Sequence, residues 1–330
     1  MGCCWSCACV SSYWCWLREQ SVQLLDTNWF IWIWAVSGAL IVLYNLHSGI
    51  CLMEHISDCG QAGEESAAAA AAAPDTSSSL DYGIRRGPHT WRTADNNQSP
   101  INIVSRSTEE VCFSQALRWI GYDDLPVGIR LENNGHTLLL RAAFQDEETP
   151  HLGGGDLLSC FSFHEISFRW SWYNSTGSEH TLDNEHFPLE MQCLHTDAAN
   201  TENASSRSLL MVSYMFAVSA ENPFMDVIVQ HLVAVQLAGQ CVEIPPFPLN
   251  YLMSPFYTDF YSYHGSLTEP PCHRGAEWFI YPQPIAISER QLHEFRKLRS
   301  RSGARIGRNA RPVQSLGDRT VKINCYRASE

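Results

Sequence analysis

C-terminal to residue 80 the chain is a succession of short apolar runs separated by turn signals, with few stretches of helical period. Gly128–Glu132 and His136–Phe144 flank Asn133-Asn134-Gly135, a turn signal between two apolar runs, which predicts a hairpin. Phe161–Trp172, Leu189–Leu194, Leu209–Val218, Trp278–Tyr281 and Thr320–Tyr326 read as further strands. Two segments read as helices. Asn222–Leu237 opens with Pro223 and places Phe224, Ile228, Leu232 and Val235 on one face. Ser288–Arg301 has Ser288 as N-cap and Leu292, Phe295 and Leu298 as its buried stripe. Many strands with few helices predict a β-dominated domain.

Upstream the pattern changes. Trp29–Met53 contains no charged residue. A run of that length crosses a bilayer core of about 30 Å at about 1.5 Å per residue. Arg18 precedes it and Glu54, Asp58, Glu64 and Glu65 follow, which favours an external C-terminal body. The segment reads as a signal anchor, with a cleaved signal peptide as the rival. Residues 54–80 carry seven consecutive alanines, then Pro74 and a serine run, and build no core. The expected organisation is therefore a Cys-rich tail (1–28), an anchor or signal peptide (29–53), a linker (54–80), one folded domain (81–326) and a short tail (327–330). Met1-Gly2-Cys3-Cys4-Trp5-Ser6 also fits an acylation pattern at Gly2, Cys3 and Cys4.

Charge sharpens this division. The net charge is −13, which argues against a general nucleic-acid binder. Residues 285–330 nevertheless hold eleven bases and four acids. Five of the thirteen cysteines lie within the first fifteen residues, outside the expected domain. Sequons stand at Asn174 and Asn203, an expectation of glycosylation in an external domain.

Several strings in the body resemble the α-class carbonic anhydrases. They are Gly87-Pro88, Trp91, Gln98-Ser99-Pro100-Ile101-Asn102-Ile103, Asn133-Asn134-Gly135-His136, Gly177-Ser178-Glu179-His180-Thr181, Gly265-Ser266-Leu267-Thr268-Glu269-Pro270-Pro271, Trp278 and Arg311-Pro312-Val313-Gln314. Their order and spacing are similar to that family over residues 81–326. The resemblance implies a large, twisted, mainly antiparallel central sheet with peripheral helices. It also implies a zinc held by three histidines, two of them as H-x-H on one strand and a third on its neighbour. Alternate residues share a strand face, so H-x-H aims two imidazoles at one metal. Zinc lowers the pKa of its bound water to about 7, making hydroxide available to attack carbon dioxide.

The resemblance places those ligands at Ser167, Arg169 and Gln192, and none is histidine; no H-x-H occurs anywhere in the chain. A guanidinium offers only donors and is permanently charged. The expectation is therefore no zinc, no cofactor and no catalytic residue. His136, Glu179 and Thr268 match the family's proton shuttle and hydroxide-orienting pair as vestiges. Leu194, Met211, Leu267 and Trp278 match the apolar wall, while Glu190, Glu165 and Glu269 stand around the ligand positions. Arg169 is expected to pair with Glu179, with Glu165 and Glu269 as alternatives. His164 and His195 read as structural histidines facing away from the ligand positions, and His180 as the family's buried hydrogen-bonding histidine. Cys272 sits where secreted relatives carry a disulfide cysteine; Cys325, Cys59 or no partner at all remain open. The chain thus resembles an inactive carbonic anhydrase-related protein. Such proteins bind partners, and a secreted branch binds cell-surface neurexins. The expected function is a protein-binding module, membrane-anchored with an external domain or secreted. The alternatives are residual hydratase or esterase activity through an unusual metal site, and small-anion binding at Arg169.

Overall fold

The computed structural model describes residues 80, 82–83, 86–91, 96–145, 149–197 and 209–327. The chain divides into two units, Met1–Pro74 and Asp75–Glu330, and every described residue lies in the second. The expected anchor, linker and acylation sites, and Asn203, lie outside the described residues. Among the described residues no helix is long and apolar enough to cross a membrane.

Fourteen strands occur among the described residues. In chain order they are β1 (Asn102–Ile103), β2 (Glu109–Phe113), β3 (Leu117–Ile120), β4 (Gly128–Asn133), β5 (Leu138–Ala143), β6 (His151–Gly154), β7 (Phe161–Trp170), β8 (Thr181–Leu182), β9 (Leu189–Asp197), β10 (Leu209–Val218), β11 (Cys241–Ile244), β12 (Phe260–Ser266), β13 (Arg274–Ile287) and β14 (Lys322–Tyr326). Twelve of them form one twisted sheet with the path β11-β4-β5-β7-β9-β10-β13-β12-β14-β2, and β3 and β6 attach beside β7. Only β10–β13 and β14–β2 pair in parallel within it. β1 and β8 form a separate parallel pair.

Burial follows the period of two and assigns the faces. β4 alternates half-buried and buried residues, as a strand near the sheet margin does. β10 is buried on both faces for seven consecutive residues, because both sides of the sheet centre are covered. The larger core, on one face, gathers Ile166, Phe168, Trp170, Met191, Cys193, Val212, Tyr214 and Phe279 with the helices. The opposite face carries a smaller cluster around Met211, Met215, Tyr263, Trp278 and Ile280.

Both predicted helices are shorter than their apolar period. Asn222 caps α1 (Pro223–Val229) by accepting from the Phe224 N–H at 3.0 Å. The helix then gives way to a 3-10 turn at Leu232–Val235 after three β-branched residues, Val227-Ile228-Val229, which favour helix weakly. Ile228, Leu232 and Val235 are buried as expected, but Phe224 is 48% exposed. α2 (Glu289–Phe295) starts in a full capping box on Ser288 and Gln291. It stops before Arg301 because the chain folds back: the Ile306 N–H donates to the Leu298 carbonyl at 2.8 Å and Arg299 pairs with Arg305. β13 extends far beyond Trp278–Tyr281. Its prolines, Pro282 and Pro284, fall where the pairing with β10 slips between Tyr214 and Phe216, so no ladder donor is lost.

Candidate functional site

The three positions at which the resemblance places metal ligands share one face of β7 and β9. Ser167 lies directly opposite Gln192, and Arg169 opposite Glu190, in the antiparallel register. Ser213 on β10 lies opposite Gln192 on its other side. The fold thus brings Ser167, Arg169 and Gln192 together, as the resemblance requires, while their chemistry differs from the family's.

Arg169 is 3% exposed. Its Nη2 donates to Glu269 Oε1 at 2.8 Å, and its Nε lies 3.5 Å from Glu179 Oε1 without a hydrogen bond. Burial disfavours the guanidinium charge, but Glu179 and Glu269 outweigh it and hold the group protonated more firmly than an ordinary arginine. The expected Arg169–carboxylate cluster is therefore present, with Glu269 as the tighter contact and Glu179 as the wholly buried one. Glu165 is a correction. It pairs instead with Arg141, which also bonds Glu132, at the rim of the same face.

Gln192 braces two carboxylates. Its Nε2 donates to Glu179 Oε2 at 2.7 Å and to Glu190 Oε1 at 2.9 Å. Glu190 is fully buried and also accepts from the Glu179 and His180 N–H groups, His180 Nδ1 and the Ser213 hydroxyl. Burial alone would raise its carboxyl, but the His180 contact and the bonds from Gln192 reverse this and keep it well below the usual carboxylate range. His180 is also bonded through Nε2 to the Tyr263 hydroxyl at 2.7 Å, the buried structural role expected of it.

Glu179 and Thr268, which the resemblance implies as a vestigial pair, are not joined. Both Glu179 oxygens are taken, one by Gln192 and one by the Arg311 N–H at 2.9 Å, and no Thr268–Glu179 hydrogen bond occurs among the described residues. Thr268 is nonetheless buried beside Glu269, in a loop closed by the Leu267 N–H to the His273 carbonyl and the Cys272 N–H to the Glu269 carbonyl. His136 sits in the turn between β4 and β5, where Asn134 Oδ1 takes its N–H and Asn309 Nδ2 its carbonyl. Leu194, Met211, Leu267 and Trp278 do meet in the smaller apolar cluster.

Two histidines behave as expected. His195 is buried on the far face, bonded to the Tyr122 hydroxyl at 2.7 Å, and burial pulls its imidazole down to about 4. His164 lies at a β7 bulge and is exposed. Cys272 is free and buried, and Cys325 bonds Cys112 across β14 and β2, which rules out a Cys272–Cys325 bridge. The Asn174 side chain is engaged on both sides, donating to Glu289 at 2.7 Å and accepting from Arg296 at 2.6 Å.

Sequence reasoning missed Tyr82 and Ser213. The Tyr82 hydroxyl is buried without a partner, and burial followed by the nearby Glu269 charge raises its pKa well above normal. Ser213 was legible, because it stands two residues beyond Met211 and so shares its face. Tyr82 carried no periodic signal.

A twisted, mainly antiparallel sheet carrying this cleft on its centre defines an α-carbonic anhydrase-type domain. The family model for eukaryotic-type carbonic anhydrase matches residues 86–325. Human carbonic anhydrase-related protein is 30% identical over 245 residues, covering 68% of this chain and 82% of that protein. Human carbonic anhydrase 7 is 31% identical over 258 residues, covering 74% and 96%. Rabbit carbonic anhydrase 1 is 31% identical over 239 residues, covering 69% and 99%. The chain belongs to the eukaryotic-type carbonic anhydrase family.

Proposed function

We propose that this chain is a carbonic anhydrase-related binding module that neither holds a catalytic zinc nor hydrates carbon dioxide, and that it acts on a protein partner at the cell surface or outside the cell. The observation that carries this reading is Arg169, a buried cation seated between Glu179 and Glu269 on the face where the family places its metal. The donor set does not fit zinc. It offers one hydroxyl, a cation with no lone pair to give, and a single neutral carboxamide oxygen, Gln192 Oε1, which is buried without a hydrogen-bond partner but is a weak donor for zinc beside the Arg169 charge. Among the described residues the only cluster of three His, Cys, Asp or Glu ligand atoms is Glu110, Cys112 and Cys325, on β2 and β14 rather than in the cleft, and its two sulfurs are joined in a disulfide. The vestigial carboxylate–threonine pair is likewise unjoined. Small-anion binding at Arg169 loses its basis, because two carboxylates already answer that cation. What remains for function is the surface of the domain.

The test is carbon dioxide hydration by the full chain in zinc-containing buffer against a chelated control. The expected rate equals background in both. A rate above background that chelation removes would sink the reading.

A further inference from the structure

From Phe295 to Gly317 the sequence has seven bases and no acid: Arg296, Lys297, Arg299, Arg301, Arg305, Arg308 and Arg311. Four are occupied. Arg296 donates to Ser171 and Asn174, Lys297 to Glu294 and Arg299 to the Gly303 carbonyl, while Arg311 is buried on Gln98 and Ser99. Arg301, Arg305 and Arg308 are exposed, and none forms an ion pair or side-chain hydrogen bond among the described residues.

These three are held on a built element. Leu298 and Ile306, both buried, are joined at the base of a hairpin. The Arg299–Arg305 pair forms its next rung, and the Ser300 N–H closes the turn on the Ala304 carbonyl at 2.8 Å. The Arg301 stem lies on Gly135, where a Cβ would come within 2.8 Å of its Cγ. Arg308 pairs with Ser171, and the next residue, Trp172, donates its N–H to the Gly307 carbonyl at 2.8 Å. The Trp172 indole lies on Gly307, where a Cβ would meet its Nε1 at 2.1 Å. Trp172 and Tyr173 are 46% and 72% exposed, on the segment whose Ser171 pairs with Arg308.

Exposed arginines on a hairpin joined to a segment with exposed aromatics match carboxylates together with apolar side chains. The domain outside this basic stretch is acidic, residues 81–284 holding ten bases and twenty-four acids, so a long polyanion is repelled once it leaves the hairpin. A short acidic segment is not. We propose that the 298–308 hairpin and the Trp172–Tyr173 edge form the docking surface for an acidic peptide segment of a partner protein. Its carboxylates engage Arg301, Arg305 and Arg308, and an apolar side chain packs on the two rings. This rests on the reading of the chain as a protein-binding module and names the surface that module uses.

The probe is a labelled peptide of four Glu-Glu-Leu repeats, titrated by fluorescence anisotropy against the full chain at low salt. Saturable binding is expected that weakens as salt rises. The combined variant Arg301→Glu/Arg305→Glu/Arg308→Glu weakens it about tenfold or more, and Trp172→Ala about threefold. The milder Arg301→Gln/Arg305→Gln/Arg308→Gln chain, with wild-type thermal unfolding, separates lost binding from lost fold. Absence of peptide binding overturns the proposal, as does equal binding by the charge-reversed chain. A heparin fragment that binds more tightly than the peptide, indifferent to Trp172→Ala, also overturns it in favour of a plain polyanion surface. Peptide binding alongside zinc-dependent hydration brings down the non-enzymatic reading while leaving the surface standing.

Discussion

Replacing Arg169 by methionine keeps most of the side-chain volume and removes the charge on which the cleft is organised. Glu269 then loses its 2.8 Å ion pair, but its side chain is 34% exposed and solvent screens the loss to at most about 1 kcal/mol. Glu179 is 0% exposed and loses a cation 3.5 Å away. Breaking a wholly buried pair costs about 3–5 kcal/mol. Glu179 keeps its hydrogen bonds from Gln192 and the Arg311 N–H, which hold its share below that range. The expected total is about 3 kcal/mol. For a domain of this size about 1 kcal/mol moves Tm by about 2–4 °C, so Tm falls by about 6–12 °C. Thermal and urea unfolding at pH 7, followed by circular dichroism, read this directly. Adding Glu179→Gln to Arg169→Met removes the stranded charge and returns about 1–2 kcal/mol of the loss. Unchanged stability of Arg169→Met refutes the electrostatic account, and a loss that Glu179→Gln does not relieve places the effect in packing instead.

His195 supplies a pH signature. Its folded pKa of about 4 lies below the unfolded value near 6.5, so its contribution is complete above about 6.5 and is lost as pH falls toward 4. The size is about 3 kcal/mol at most, and urea midpoints of His195→Gln measured between those pH values should flatten relative to the parent. The Cys112–Cys325 bond closes 213 residues of chain and stabilises the domain by about 2–5 kcal/mol. The paired Cys112→Ser/Cys325→Ser chain should show that loss in urea unfolding under non-reducing conditions, whereas Cys272→Ser should leave the bond in place, read as unchanged mobility on non-reducing gels.

The central strands were legible because alternation and apolar runs mark strands buried on one face or both. Leu209–Val218 coincides with β10 residue for residue. β2 was not, because Glu109-Glu110-Val111-Cys112-Phe113 is an edge strand with two leading acids and only Phe113 buried. β6 hides behind Gly153-Gly154, and β13 behind prolines that a register slip accommodates. The site was legible where strand register alone fixed it, since β7 and β9 bring positions 167, 169 and 192 onto one face. Partner choice was not. Glu165, Glu179 and Glu269 all looked available to Arg169, and only the loop closed at Cys272 and the Arg141 rung decided among them.

The central claim is that a buried guanidinium has taken the place of the family's metal. Metal content of the full chain, purified in zinc-containing buffer and then exchanged into metal-free buffer, tests it most directly. The account predicts far less than one zinc per chain, unchanged by Ser167→Ala or Gln192→Ala. One tightly held zinc per chain that either substitution releases would contradict it.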